Sequence, residues 1–396
     1  MKLYAQHGFQ EGNKIQLAIT KDLIDGVIYS PRDIALTKLR EEVESLKASH
    51  PSHERLVDPQ YYATFLNDTE NARLGNLLDD YGAYFRARRR SQLEREAAIR
   101  ADLDLAIQFQ LELKVTRVIS PNILISNSLD SVEAVISKNF IRCAGEQFRK
   151  LKDPRPLLVT LAISRDALLD RNALTDFLNE ITALEHPPGG FYVLIGGRSS
   201  DARTEIYNTD VIAAWMFINH VLSINGFYVI NGYSDILTPF LGAVGGSAGA
   251  LGWWSNLRTF SLDRFSPAMG GGRLPLPRYL SNALLNRITH IELDQLRKNI
   301  PAVLNGLPTD DLYDKDAGSA PERSLEVLQS WEAVKRLNGS IIDNEISSSL
   351  RNCRHAIQRA IEVYDTIPIR LDAKSNSDHL QALDEGTRLF ERLAEL

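Results

Sequence analysis

The 396-residue chain is 44% hydrophobic and 24% charged, with a net charge of -6. That balance gives ample core for one large domain plus an extension, or for two domains, and the acidic total argues against wholesale nucleic-acid or membrane binding while leaving room for a local basic patch. Two cysteines, Cys143 and Cys353, exclude a disulfide framework and a cysteine-based zinc cluster.

From the N-terminus, short apolar runs with strand character alternate with longer helical patterns. "KLYAQ" precedes "KIQLAITKDLI", and "GVIYSP" precedes "DIALTKLREEVESLKAS". "RLVDPQYY" is followed, after a long interval, by "SQLEREAAIRADLDLAIQFQLEL". "VTRVIS" leads to "LDSVEAVISKNFIRCAGEQFRKLK", and "LLVTLAIS" to "RNALTDFLNEITALE". "FYVLIGG" leads to "DVIAAWMFINHVLSI", and "FYVING" to "SDILTPFLGAV". The eighth strand, "GSAGALGWW", is weakened by its glycines.

Strands apolar throughout, alternating with helices, indicate a parallel sheet covered by helices. Eight units in about 255 residues fit the length of a (β/α)8 TIM-type barrel, which is preferred over an open doubly wound sheet. Residues 62–92 form an insertion between the third strand and its helix. Residues 1–255 are thus expected to form the barrel, and residues 256–396 a helical C-terminal extension. In that extension, "LSNALLNRITHIELDQLRKNIPAVLNG" and "SLEVLQSWEAVKRLNGSIIDNEISSSLRNCRHAIQRAIEVYDTI" read as helices, and "SDHLQALDEGTRLFERLAEL" as a last amphipathic one. "PTDDLYDKDAGSAPER" reads as a polar, mobile link. No run of about 18 apolar residues occurs, so a soluble, cytoplasmic protein without membrane contact is expected.

Ligands of such barrels bind where strands end and loops begin. That rule places His7, Arg32, Asp58, Asn122, Arg165, Gly196, Gly197, Arg198, Tyr233, Ser234 and Asp235 at the rim. Arg32, Arg165 and Arg198 offer guanidinium forks suited to phosphate or carboxylate. Arg32 and Arg165 each precede an aspartate, so local ion pairing is the competing explanation. The turns at Gly232 and at Gly245 and Gly246 are placed to cradle a phosphate with backbone N–H groups. They are equally suited to relieving crowding at barrel closure or to ending the seventh helix. "FRARRRSQLER", with Arg86, Arg88, Arg89 and Arg90, reads first as a solvated helix start neutralised by Glu94 and Glu96, and second as a phosphate contact. Walker and HExxH motifs are absent, and the eight histidines show no metal-ligand spacing. No cofactor and no metal are expected.

The succession "LIGGRSS", then "YVINGYSDILTPFLGAV", is similar to the late strands of the tRNA-guanine transglycosylase family. The resemblance implies a (β/α)8 barrel with Gly196 and Gly197 at the family's glycine pair. It also implies Asp58 of "VDPQYY" as the base-binding or acid/base aspartate. The family's nucleophilic aspartate is due on the strand after "YVING", but "GSAGALGWW" holds no acid, and Asp263 of "FSLDRF" lies further on. The family's zinc site has no counterpart. Barrels diverged in this way also resemble parts of bacterial anti-phage and nucleic-acid-modification systems.

The expected function is therefore binding of an anionic, nucleotide- or nucleobase-containing small molecule or nucleic-acid component. A glycosyl-transfer reaction on a base goes with it by resemblance. The alternatives are a non-catalytic scaffold binding protein partners through the C-terminal extension, and a metal-independent phosphate-ester lyase or hydrolase.

Overall fold

A computed structural model of the chain describes residues 1–65, 73–197, 206–266, 275–313 and 321–396. Strands β1 (Lys2–Gln6), β2 (Gly26–Tyr29), β3 (Glu54–Val57), β4 (Val118–Ser120), β5 (Leu157–Ser164), β6 (Gly190–Gly197), β7 (Tyr228–Asn231) and β8 (Ala248–Leu251) form one parallel sheet. The spatial order is β3-β2-β1-β8-β7-β6-β5-β4, with β1 paired to β8 from Lys2 opposite Ala248 to Ala5 opposite Leu251. This curls the sheet into a nearly closed barrel. At the remaining seam between β3 and β4, the Thr116 N–H donates to the Arg55 carbonyl at 2.9 Å, and the Arg55 N–H to Thr116 Oγ1 at 3.0 Å.

The strands are apolar because both faces are covered. β5 and β6 are buried from their first residue to their seventh. Outside them lie α1 (Lys14–Thr20), α2 (Leu36–Ser49), α3 (Glu96–Glu112), α4 (Val132–Leu151), α5 (Arg171–Thr182), α6 (Thr209–Ile224) and α7 (Thr238–Gly242). Side-chain caps fix several starts: Ser131 accepts from Ala134 N–H, Asp170 from Asn172 and Ala173 N–H, and Asn208 from Asp210 and Val211 N–H.

The eighth helix does not follow β8 directly. α8 (Arg323–Ile341) packs between α7 and α1 and occupies the eighth place in the ring. Its fully buried Trp331 donates its indole N–H to the Leu251 carbonyl at the end of β8, at 3.0 Å. α9 (Ile346–Asp365) and α10 (Asp378–Leu393) continue around the outside, and α10 lies along α6, with Gly386 against Ile212. Val327, Trp331 and Phe390 belong to the same apolar core as Tyr4, Leu161 and Val229, so the core runs unbroken across residue 255.

One expected helix is corrected. At the start of "LSNALLNRITHIELDQLRKNIPAVLNG" and just before it, Arg278–Ser281 and Asn286–Thr289 form an antiparallel hairpin, with Leu285 at φ +48 in its turn. Thr289 and Glu292 make a reciprocal capping box, so the following helix starts only at His290. Tyr279 and Ile288 of the hairpin turn into a small second core with Leu293, Leu296 and Val303. "PTDDLYDKDAGSAPER" begins with a short helix, Pro308–Tyr313, and residues 314–320 lie outside the described residues.

Candidate functional site

The upper end of the barrel, where strands run out into loops, is filled by a buried polar cluster. Asp58, just past β3, is fully buried. It accepts from the Gln60 N–H at 2.9 Å, from Tyr62 Oη at 2.8 Å and from Tyr192 Oη at 3.4 Å. The Tyr192 hydroxyl of β6 also lies 3.1 Å from Gln6 Oε1 of β1 across the barrel interior, so its one proton serves either Asp58 or Gln6. Gln60 donates to Ser30 Oγ at 2.8 Å, and Ser30 to Asp33 at 2.8 Å. Into this cluster reaches Arg264, from the segment after β8. Its guanidinium donates to Tyr233 Oη at 2.7 Å and to Asp33 at 2.6 Å. Phe260 and Phe265 of the same segment pack edge-on against Tyr62. The barrel mouth is thus stoppered by the chain itself.

Burial pushes the Asp58 carboxyl up to about 6, and the Gln60 and Tyr62 bonds and the Arg264 charge offset only part of that. Burial likewise pushes the Tyr233 hydroxyl up to about 12. Because the folded state prefers neutral Asp58, its contribution to stability is full below the unfolded value near 3.8 and is lost as pH rises through about 6. Asp58→Asn should therefore gain about 2.5 kcal/mol on the wild type between pH 4 and pH 7.5. Urea unfolding at both pH values measures this; a difference between the two proteins that does not change with pH would contradict it.

The other expected site residues disperse. Arg32 donates to Asp33 at 2.5 Å and to the Arg73 carbonyl at 2.7 Å, and burial lowers its pKa. Arg165 pairs with Asp166 at 3.3 Å and stays about one-third exposed. Arg198 lies outside the described residues. Arg32 and Arg165 therefore serve their own neighbouring aspartates and do not meet. Gly196 and Gly197 pair with the short strand Phe260–Ser261, and a side chain at Gly196 would meet the Phe260 ring. The Gly232 N–H donates to the Val193 carbonyl, and Ser234 Oγ bonds Thr238 Oγ1 at 2.7 Å, so neither offers a free donor. A Cβ at Gly232 would strike Leu194 and Tyr192 inside the barrel.

Gly245 and Gly246 are corrected outright. They precede β8 and so stand at the opposite, lower end of the barrel. Their N–H groups close the end of α7 on the Gly242 and Leu241 carbonyls, at 3.2 and 2.9 Å. Gly245 has φ +107, a conformation that favours glycine at a helix end. They are helix-ending residues and not a phosphate cradle.

The open space lies beside the stopper. A cavity of about 980 Å³ is lined by Tyr62, Phe65, Ile123, Leu124 and Leu262 on its apolar side and by Arg88, Arg89 and Arg90 on its basic side. Glu94 and Glu133 also border it. The insertion at residues 62–92 supplies most of this wall. The arginines are not neutralised as expected: Glu96 instead binds Arg100 and Arg142, at 2.7 and 2.6 Å. Arg88 forks onto buried Asp102, with Nε at 2.8 Å, and that bond holds its pKa above the ordinary arginine value. Arg90 reaches Glu133 at 3.1 Å. Arg89 makes no ion pair among the described residues and is exposed. Tyr62 forms the cavity wall on one side and bonds Asp58 on the other, so Asp58 sits one hydrogen bond behind the cavity.

Arg264 is the residue that sequence reasoning passed over. It lies in "FSLDRF", beyond the last barrel strand, and only the closed fold brings it to Asp33 and Tyr233.

Strand order, the helix ring and a rim cavity together define a (β/α)8-barrel protein. No family model matches the chain, and no curated protein matches it. Among solved structures the chain is similar to dihydrodipicolinate synthase from Oceanobacillus iheyensis, at 12% identity and a TM-score of 0.25, over 100% of this chain and 97% of that one. The fold assignment rests on strand order and register, not on that likeness. Among the described residues, no helix is long and apolar enough to cross a membrane.

Proposed function

We propose that the protein binds an anionic ligand of nucleotide type in the cavity between the insertion and the β4–α4 loop. One observation carries this: an aromatic and aliphatic wall faces three consecutive arginines in one cavity of about 980 Å³ at the ligand-binding end of the barrel. A flat ring suits the Tyr62, Phe65 and Leu262 side. A phosphate suits Arg89 and Arg90, whose side chains reach the cavity from the surface. Arg88 is bound to Asp102 and serves as the fixed end of this basic strip. The glycosyl-transfer reading belongs to the same proposal at one remove, since Asp58 touches the cavity only through Tyr62. Binding is therefore the reading that the geometry supports best.

The test is thermal unfolding of the full chain with adenosine, AMP, ATP and a short single-stranded oligonucleotide. Phosphate-bearing compounds at about 100 times their dissociation constant should add about 2.7 kcal/mol, read as a rise of several degrees. Arg89→Ala with Arg90→Ala should remove that rise, because each charge-assisted bond is worth about 1.5–3 kcal/mol. Arg165→Ala should keep it. No rise with any of the four, or a rise untouched by the double variant, would refute the proposal.

A further inference from the structure

A second place at the same end of the barrel has unspent ligands. His7 stands directly after β1, with its backbone N–H continuing the ladder to the Ile28 carbonyl at 3.0 Å. Glu11 is four residues on, before α1, and Glu42 lies on α2. One donor atom from each of the three falls within 4.8 Å of the other two. His7 is only 2% exposed, flanked by the rings of Tyr29 and Trp253 at 5.7 and 6.2 Å. Its Nε2 lies 3.3 Å from Glu11, and its Nδ1 is buried without a hydrogen-bond partner. The side chains of Glu11 and Glu42 are each less than one-fifth exposed.

We propose that His7, Glu11 and Glu42 bind one divalent transition-metal cation of the zinc or manganese class. Two half-buried carboxylates beside a buried imidazole are a costly arrangement without a cation between them. Lys38 touches Glu42 at 3.2 Å but is 59% exposed, so a cation displaces it at little cost. Lys14 is occupied by the Gln10 and Glu11 carbonyls.

The donor set selects the metal. Donors about 2.1 Å from one ion stand at most about 4.2 Å apart, and small glutamate rotations bring the three within that span. One imidazole and two carboxylates suit zinc, manganese or ferrous iron, whereas magnesium and calcium prefer oxygen alone. Three protein ligands leave further coordination positions open to water or a ligand atom. The site shares no residue with the arginine-lined cavity, so the two proposals stand or fall separately.

Isothermal titration of chelator-treated full-length protein with Zn2+, Mn2+ and Mg2+ tests this. One equivalent of Zn2+ and of Mn2+ should bind, with Mg2+ at least tenfold weaker, and bound Zn2+ should raise the melting temperature by several degrees. Glu42→Gln and His7→Gln should each weaken Zn2+ binding at least tenfold, while Arg89→Ala leaves it unchanged. Mn2+ should also broaden the His7 imidazole resonances in the unaltered protein, a readout that holds even if the variants fail to fold. Absence of stoichiometric binding, unbroadened His7 resonances, or affinity that survives in a folded Glu42→Gln protein would overturn the assignment. The three residues would then be only a His7–Glu11 pair beside a Glu42 held by Lys38.

Discussion

Arg264→Met should destabilise the fold by about 3–5 kcal/mol, the cost of breaking a buried ion pair by removing one partner. Arg264 is 7% exposed and bonds Asp33 and Tyr233, with its guanidinium beside the Phe265 ring at 5.3 Å. Burial opposes its charge, yet the Tyr233, Asp33, Tyr62 and Asp58 surroundings outweigh this and hold its pKa above the ordinary value. Without it, Asp33 keeps Arg32 and the Ser30 hydroxyl, and Asp58 loses the Arg264 charge that favours its ionised form. Lysine at 264 should restore less than half, because one ammonium cannot reproduce a fork onto two partners. Asp33→Asn in the methionine background should recover part of the loss, since the orphaned charge is then gone. Urea unfolding of the four proteins measures this, and a loss below about 1 kcal/mol for Arg264→Met would show that the stopper carries no weight.

Trp331→Ala should cost a similar about 3–5 kcal/mol, for a different reason. Its side chain is fully buried between α8 and the end of β8, and its indole N–H satisfies the Leu251 carbonyl. Alanine leaves a cavity and an unpaired carbonyl at the barrel rim. Phenylalanine keeps most of the volume and loses the bond, so about 1–2 kcal/mol is expected there. The measurement is denaturant unfolding followed by a probe on β1 or β8. Were the barrel strands to unfold at an unchanged midpoint, α8 would be an appendage and not part of the ring.

The barrel is legible in this sequence because its strands are buried on both faces. Runs such as "LLVTLAIS" and "FYVLIGG" have no polar alternation to confuse with a surface strand. The hairpin at Arg278–Ser281 and Asn286–Thr289 is not legible, since its leucines fall at helical spacing and its pairing depends on the turn at Leu285. The rule that chemistry sits where strands end places Asp58, Arg32 and Arg165 at the rim. It could not show that each arginine would be taken by the aspartate next to it. Gly245 and Gly246 were misplaced because a glycine-rich stretch around a strand does not say which end is up. The arginine-lined cavity was half visible: the cluster stands out by composition, but Asp102 and Glu133, which hold two of its arginines, come from helices α3 and α4. Glu42 reaches His7 from 35 positions away, a distance no local pattern reports.

The delayed eighth helix has a consequence for how the chain is made. Residues 252–322 separate β8 from α8. At about 5–20 residues per second, roughly 4–14 s of translation pass between the last strand and the helix that covers it. Throughout that interval the apolar flanks of α1 and α7 face the ribosome's surroundings without their cover. A nascent barrel with one open side is therefore the form that chaperones meet during that interval.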